Sequence, residues 1–196
     1  MAAERRFNEA LRALVDALDE IPGPSMIIGG VAVIASGVPR QTVDIDATIL
    51  GRTVRLEAVV DTFARYGITP RIPAALEFAR ARQVLLLRHD PTGVTMEVSF
   101  AWLPFEEEAL ARAREIDIEG FHVRIAIPED LIVYKAAAWR DRDVSDIERL
   151  LALYIGQIDL DRVRNLVRDI GAALDDPERI DAFDALVTRV RRAQKS

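Results

Sequence analysis

The sequence predicts a mixed α/β fold followed by a C-terminal helical region. Short apolar segments with period-2 alternation recur within residues 1–127, which indicates strands that bury one face. Stretches with helical apolar spacing lie between them, and from Pro128 onward only the helical spacing remains. We therefore expect an α/β core in residues 1–127 and a helical region in residues 128–196 that packs on this core.

The elements of the first region follow from apolar spacing and from the breakers between segments. An apolar stripe of helical period runs through residues 4–20 and ends at Pro22-Gly23-Pro24. Asp90-Pro91-Thr92-Gly93 is typical of a turn, so the strands on either side of it are expected to form a hairpin. The predicted strands are 25–28, 42–50, 83–88, 94–100 and 121–126; the predicted helices are 4–20, 31–36 and 52–66, with a short helix or a loop at 105–115.

The second region is predicted to consist of four helices. Pro128 and Pro177 suit a first helical turn, where a missing backbone N–H costs nothing. Asp159 is a candidate N-cap, since its side chain can accept a hydrogen bond from the first turn. The predicted helices are 128–139, 143–154, 159–173 and 177–194.

Composition limits the kind of metal site that the chain can build. The 196 residues include no cysteine, which excludes disulfides and thiolate ligands, and the only histidines are His89 and His122. Both are expected at the surface or in a satisfied hydrogen bond. Oxygen ligands remain, and they favour hard cations such as Mg²⁺ or Mn²⁺. The net charge of −6 disfavours bulk electrostatic binding to nucleic acid, although a local basic groove stays open.

The location of the protein is predicted from the absence of targeting signals. The first residues are too charged for a signal peptide, and no apolar run approaches the roughly 18 residues that span a bilayer. We expect a cytoplasmic protein without a membrane segment.

Two carboxylates stand on one face of the strand predicted at 42–50. Because side chains alternate along a strand, Asp44 and Asp46 point the same way, together with Thr42 and Thr48. The opposite face carries Val43, Ile45, Ala47 and Ile49. Two such carboxylates can share metal ions, as phosphoryl-transfer sites require. Taken alone, two acidic residues on a strand face are more often a solvated edge.

Three further features extend this candidate site. Glu97 lies on the polar face of the strand predicted at 94–100 and is the best third carboxylate, whereas Asp90 lies in a turn and is a weaker candidate. Gly29 and Gly30 stand between a strand and a helix, where free backbone N–H groups favour phosphate. Arg40 is placed either to pair with phosphate or to steady the carboxylates.

The order and spacing of these residues closely resemble the DNA polymerase beta-like nucleotidyltransferase superfamily. The resemblance implies a small mixed sheet, a glycine loop, two metal-binding carboxylates on one strand and a third on another strand. That third carboxylate is commonly Asp, and the matching position here is Glu97. The residues that carry the resemblance are Gly29, Gly30, Ala32, Gly37, Arg40, Thr42, Asp44, Ile45 and Asp46.

Residues 99–113 and 127–153 resemble the bacterial branch that includes abortive-infection nucleotidyltransferase toxins. This branch implies that Lys135 contacts the nucleotide, although a lysine lying along a helix surface is an equal alternative. The polar residues Asp130, Arg140, Asp143 and Asp146 either brace the site or cap helices.

The resulting hypothesis is a metal-dependent nucleotidyltransferase that moves a nucleoside monophosphate from a triphosphate to an acceptor. Asp44, Asp46 and Glu97 are its candidate catalytic and metal-binding residues, with Glu97 either completing the metal site or acting as a base. The expected cofactor is Mg²⁺ or Mn²⁺. The candidate nucleotide contacts are Gly29, Gly30, Arg40, Thr42 and Lys135.

An RNA end, especially that of tRNA, is the favoured acceptor, with a protein or a small molecule still open. A toxin would need an antitoxin as partner. The alternatives are a non-catalytic module that retains the fold and binds a nucleotide or a partner, and a helical interaction protein that uses residues 159–196. Trp102 and Phe105 either stack a base or belong to the core, and the core is the preferred interpretation.

Overall fold

The computed structural model describes residues 2–195, in which a mixed sheet is accompanied by helices. The strands are β1 (Ser25–Ile28), β2 (Asp44–Leu50), β3 (Ile68–Pro70), β4 (Val84–His89), β5 (Thr95–Ala101), β6 (Arg114–Ile118) and β7 (Phe121–Ile125). The helices are α1 (Ala2–Asp19), α2 (Gly29–Ala35), α3 (Leu56–Arg65), α4 (Ala75–Arg82), α5 (Pro104–Arg112), α6 (Pro128–Ala138), α7 (Asp141–Tyr154), α8 (Leu160–Ala173) and α9 (Arg179–Ala193), with a 3-10 turn at Gly51–Thr53. Within this range, no helix is long and apolar enough to cross a membrane.

The seven strands form one sheet in the order β3-β4-β5-β2-β1-β7-β6. The central pair β2 and β5 is parallel, as is the pair β1 and β7, while every other neighbouring pair is antiparallel. The mixed α/β class is confirmed, and so is the hairpin of β4 and β5 across the predicted turn.

The sequence patterns missed one helix, α4, and both edge strands of the sheet. Edge strand β3 has three residues and includes a proline, so it is too short to show alternation. Edge strand β6 has the sequence REIDI, in which charged residues alternate with isoleucines that are only half-buried. An edge strand buries less apolar surface than a central one, and its sequence carries a correspondingly weaker pattern.

The described chain divides into two compact units. One comprises the segment that ends at Val31 together with Gln41–Ala126, and it contains the whole sheet with α1, α3, α4 and α5. Its core is built around fully buried apolar side chains of the central strands, such as Ile45, Val98 and Leu85. The other comprises Ala32–Arg40 and the segment that begins at Ile127, where α6 packs on α7 and α8, and α9 packs on α7 and α8.

Most element boundaries agree with the predicted ones within a few residues, and the starts of α2 and α9 are two that differ. Helix α2 begins at Gly29, directly after β1 and earlier than predicted, and this first glycine has a positive φ of 59°. Pro177 precedes the N-cap Glu178 and does not enter the first turn of α9. Asp159 caps α8 as predicted, since its carboxylate accepts a hydrogen bond from the Arg162 N–H at 2.9 Å.

Candidate active site on the β2–β5 face

The register of the two central strands brings three predicted carboxylates onto one face of the sheet. Asp44 and Asp46 begin β2, and each is half-buried while Ile45 between them is fully buried. Because β2 and β5 are parallel and in register, Asp46 lies directly opposite Glu97, and Asp44 lies opposite Thr95. Glu97 therefore stands beside the aspartates, on the neighbouring strand, with its side chain on the same face.

Thr42 and Gly29 fix the surroundings of the two aspartates. The Thr42 hydroxyl lies 3.1 Å from Asp44 Oδ1 and 3.2 Å from the Asp44 carbonyl oxygen, so this side chain orients Asp44. A Cβ atom on Gly29 would lie 1.9 Å from Asp46 Oδ2, and the residue has a left-handed φ of 59°. Glycine is required here for both its conformation and its small size.

An arginine that the sequence patterns did not single out contacts Glu97. Arg71 follows β3, and its Nη2 lies 2.9 Å from Glu97 Oε1. The two side chains are 33% and 45% exposed, so this ion pair is open to solvent and to ligands. The sequence patterns did not predict β3, and without that strand nothing in the sequence places residue 71 beside residue 97.

The donor atoms of this face suit a hard divalent cation. Carboxylate and hydroxyl oxygens are available, and neither histidine nor cysteine competes with them for a softer metal. In residues 2–195, however, no group of three acidic or histidine side chains is arranged to hold an ion. Asp44 and Asp46 provide two protein ligands, a number that is common for Mg²⁺ because substrate phosphates and water complete its coordination.

A second group of charged residues, in the helical unit, contains several residues that the sequence singled out. Lys135 is buried, and its Nζ lies 3.0 Å from Asp143 Oδ1 and 3.0 Å from Asp146 Oδ2. Arg40 Nη1 donates to Asp146 Oδ2 at 2.6 Å, and Arg140 Nε donates to Asp143 Oδ2 at 2.7 Å. We call these five residues the buried ion cluster.

The cations of the buried ion cluster act on the pKa of Asp143. Burial acts to raise the pKa of Asp143, but the hydrogen bonds and charges of Arg140 and Lys135 outweigh it and lower that pKa below its ordinary value. Asp143 also accepts a hydrogen bond from the Arg140 backbone N–H at 3.2 Å, so it caps α7 and braces the cluster at once. Asp130, which is fully buried, pairs with Arg162 at 2.9 Å.

Several other candidates lie outside the carboxylate group. Asp90 is in the β4–β5 turn and pairs with Arg88 and Thr69. Trp102 is 64% exposed, so its predicted core role is wrong: it follows the last residue of β5 and no longer belongs to the sheet. The buried position of Phe105 was predicted correctly.

The two histidines also lie apart from the carboxylates. His89 is buried with its Nδ1 2.8 Å from the Thr92 hydroxyl, and burial lowers its pKa. His122 is exposed. Both match the roles expected from the sequence.

Solved structures similar to this chain share its fold. The antibiotic-resistance factor ANT(2'')-Ia is 20% identical with a TM-score of 0.58, over 84% of this chain and 92% of that one. The lincosamide antibiotic adenylyltransferase LnuA, solved with lincomycin bound, is 14% identical with a TM-score of 0.52, over 75% and 97%. A protein of H. pylori assigned as a nucleotidyltransferase is 19% identical with a TM-score of 0.52, over 96% and 87%.

One family profile covers nearly the whole chain. The family is described as "Nucleotidyltransferase of unknown function (DUF6036)", and the match extends over residues 5–195. No curated protein matches the chain. The profile therefore spans both compact units and the carboxylates of β2 and β5.

Proposed function

The chain belongs to this family of nucleotidyltransferases, and from that premise we propose that Asp44 and Asp46 form its catalytic centre. The observation that carries the proposal is the shared face of these two aspartates at the start of β2, with Gly29 against one of them and Thr42 on the other. The DNA polymerase beta-like resemblance predicted from the motif agrees with this family.

Mg²⁺ or Mn²⁺ is the proposed cofactor, held by Asp44 and Asp46. Such an ion would neutralise charge on the triphosphate and on the transferred phosphoryl group. The chain's own contribution is to orient the two carboxylates. The Thr42 hydroxyl orients the Asp44 carboxylate by a hydrogen bond, and the lack of a side chain at Gly29 leaves room for the Asp46 carboxylate. Glu97 is proposed as the third carboxylate, either as a further ligand or as the base for the acceptor.

The nucleotide contacts are proposed at two places in the chain. Gly29 and Gly30, where β1 passes into α2, present backbone N–H groups to the triphosphate. The resemblance extends these contacts to Thr42 and, in the helical unit, to Arg40 and Lys135. Lys135 Nζ lies 3.0 Å from Asp143 Oδ1 and 3.0 Å from Asp146 Oδ2, and lysine is a common contact of phosphate groups.

The proposed reaction is the displacement of pyrophosphate from a nucleoside triphosphate. An acceptor oxygen forms a bond with the α-phosphorus, and the bond from that phosphorus to the bridging oxygen of the β-phosphate breaks. Little covalent chemistry falls to the protein in such a transfer, so catalysis depends on positioning and on charge stabilisation. The half-buried aspartates and the glycine loop serve those two purposes.

We propose an RNA end, tRNA in the first place, as the acceptor. Its support is the resemblance of residues 99–113 and 127–153 to the toxin-containing bacterial branch, and in that role the protein would work with an antitoxin partner. A small molecule is the second candidate, because two proteins of the same fold are described as an antibiotic-resistance factor and an antibiotic adenylyltransferase. The reaction is expected to take place in the cytoplasm.

An incorporation assay tests the proposal. The protein is incubated with Mg²⁺ or Mn²⁺, each labelled nucleoside triphosphate in turn, and one acceptor pool at a time: cellular RNA, cellular protein, or aminoglycosides and lincosamides. We expect label in one pool, and the Asp44→Asn/Asp46→Asn variant should lose on the order of a thousandfold in rate while keeping its circular dichroism spectrum. Asp61→Asn, an exposed residue of α3, is the matched control and should retain full activity.

The outcomes separate catalysis from binding alone. Label that appears with the parent and with Asp61→Asn but not with the double variant supports transfer at Asp44 and Asp46. If no pool is labelled, while nucleotide binding measured by calorimetry is equal in the parent and the double variant, the chain is a binding module that retains the fold. That result would overturn the proposal.

A further inference from the structure

Arg71 reaches Glu97 across an intervening strand. The Arg71 N–H donates to the Leu86 carbonyl at 3.0 Å, which fixes the arginine backbone beside β4. Leu86 is the cross-strand partner of Glu97, and Glu97 is the partner of Asp46. Since neighbouring strands are about 4.8 Å apart, the guanidinium passes over β4 to meet Glu97 Oε1 at 2.9 Å. Glu97 thus has a cation on the β4 side and a carboxylate on the β2 side.

Two charges act on Glu97 from opposite sides, Arg71 from the β4 side and Asp46 from the β2 side. Like charges directly opposite each other on paired strands repel, and Asp46 and Glu97 are such a pair. The guanidinium of Arg71 offers an attraction in the opposite direction, with donors in a rigid plane that restrict the carboxylate more than an ammonium would. Because both side chains are partly exposed, the ion pair contributes little to folding and much to where Glu97 points.

We propose that Arg71 is a positioning residue for nucleotidyl transfer: it holds Glu97 on the β4 side of β5, where Glu97 receives the proton of the acceptor, and leaves the cation to Asp44 and Asp46. The inference rests on the proposed function and decides between the two roles that the sequence leaves open for Glu97.

The step assigned to Glu97 is a proton transfer. The O–H bond of the acceptor hydroxyl breaks and its proton passes to the Glu97 carboxylate. The acceptor oxygen forms its bond with the α-phosphorus, and pyrophosphate leaves with the electrons of the broken P–O bond. A base must lie within hydrogen-bond reach of the proton that it takes. A misplacement of about 1 Å can cost roughly a hundredfold in rate, and this is the loss that Arg71 prevents.

The first experiment measures metal binding and requires no acceptor. Free Mn²⁺ is followed by electron paramagnetic resonance as the full chain is titrated, with and without α,β-methylene-ATP. Asp44→Asn should weaken Mn²⁺ binding on the order of tenfold or more, whereas Glu97→Gln and Arg71→Met should stay within about twofold of the parent. Equal weakening in Glu97→Gln and Asp44→Asn would make Glu97 a metal ligand and overturn the inference.

The second experiment measures the rate of transfer to the acceptor found by the incorporation assay. Arg71→Met should lower kcat by roughly ten- to a hundredfold with the triphosphate KM within about threefold, and Arg71→Lys should recover part of the loss. In a Glu97→Gln background, Arg71→Met should have no further effect, because the two residues act as one unit. Arg80→Met removes another partly exposed Arg–Glu pair, with Glu57, and should leave kcat unchanged.

Each remaining outcome has a definite meaning. Multiplicative losses in Arg71→Met/Glu97→Gln would show that Arg71 acts independently of Glu97 and would overturn the inference, as would a rise in kcat for Arg71→Met. If Asp44→Asn binds Mn²⁺ as the parent does, the proposed function itself fails and the inference falls with it. That failure is recognised in the metal titration alone, before any rate is measured.

Discussion

Two groups of carboxylates within residues 2–195 differ in their exposure to water. Asp44, Asp46 and Glu97 stand half-buried or exposed on the face of the sheet. Asp143 and Asp146 are buried in the helical unit, and each contacts two cations of the buried ion cluster. A carboxylate whose charge is already neutralised by fixed cations serves the fold, whereas one that is open to solvent can serve a ligand. Substitutions in the buried group should therefore mainly lower stability, and substitutions in the exposed group should mainly lower transfer activity.

The largest effect on stability is expected for Lys135→Met. This substitution removes one cation from both Asp143 and Asp146 and leaves their charges buried, which we expect to lower the free energy of unfolding by about 3 kcal/mol. Urea denaturation followed by circular dichroism measures the change. Arg189→Met removes an exposed ion pair with Glu148 in the same unit and should cost at most about 0.5 kcal/mol. Equal losses in the two variants would show that burial adds nothing to what the ion pairs of the cluster contribute to stability.

Gly29→Ala acts on the exposed group, and it should lower transfer activity more than stability. The new methyl would meet Asp46 Oδ2 and displace it, so we expect a loss of transfer on the order of a hundredfold. Gly93→Ala is the matched control, since Gly93 also has a positive φ, of 75°, but nothing lies within 4 Å of its added Cβ. Both variants should lose about 1 kcal/mol of stability from the strained backbone, and Gly29→Ala should lose more than Gly93→Ala because its Cβ would also lie 2.8 Å from Asp46 Cβ.

The contrast between these two glycine variants isolates the position of Asp46. If Gly93→Ala reduced transfer as much as Gly29→Ala does, backbone strain and not displacement of the carboxylate would explain the loss. If neither variant reduced transfer, Asp46 would tolerate a shift that a metal-binding carboxylate should not tolerate.

The sequence predicted the central strands well because their pattern is local. Burial of Ile45, Ala47 and Ile49 beside half-buried Asp44 and Asp46 is the alternation expected of β2. The same pattern was wrong for Val43, which is 79% exposed because β2 begins only at the next residue, Asp44. Thr48 is fully buried on the predicted polar face, since alternation tells which face a residue occupies but not what covers that face.

The contacts that connect distant residues could not be predicted from one sequence. Arg71 meets Glu97 only because β3 pairs with β4, and β3 is too short to leave a pattern. Lys135 meets Asp143 and Asp146 because the chain reverses at Trp139, a non-glycine residue with a left-handed φ of 51°. Such a conformation is uncommon for a bulky residue, and no local signal in the sequence announces it.

The smallest expected effect is a dependence of stability on pH that belongs to the buried group. The pKa of Asp143 is lowered in the folded chain from its ordinary value of 3.8. As the pH falls below that value, Asp143 is protonated in the unfolded chain but stays ionised in the folded chain. The stabilisation by Asp143 is therefore complete above that value and is lost as the pH falls through the folded pKa. The difference in unfolding free energy between the parent and Asp143→Asn should be constant from pH 7 to 5 and shrink below pH 4, by at most about 1.4 kcal/mol per pH unit.

Lys135 is one cause of this lowered pKa, which provides the control. When Lys135→Met is added both to the parent and to Asp143→Asn, the difference between these two proteins should shrink over a narrower range of pH, because the folded pKa of Asp143 then lies closer to the ordinary one. Urea titrations at half-unit steps of pH measure both pairs of proteins. If the difference in unfolding free energy stayed constant down to pH 2 in the pair that retains Lys135, the charge of Asp143 would add nothing to stability. The buried group would then differ from the exposed group in burial alone.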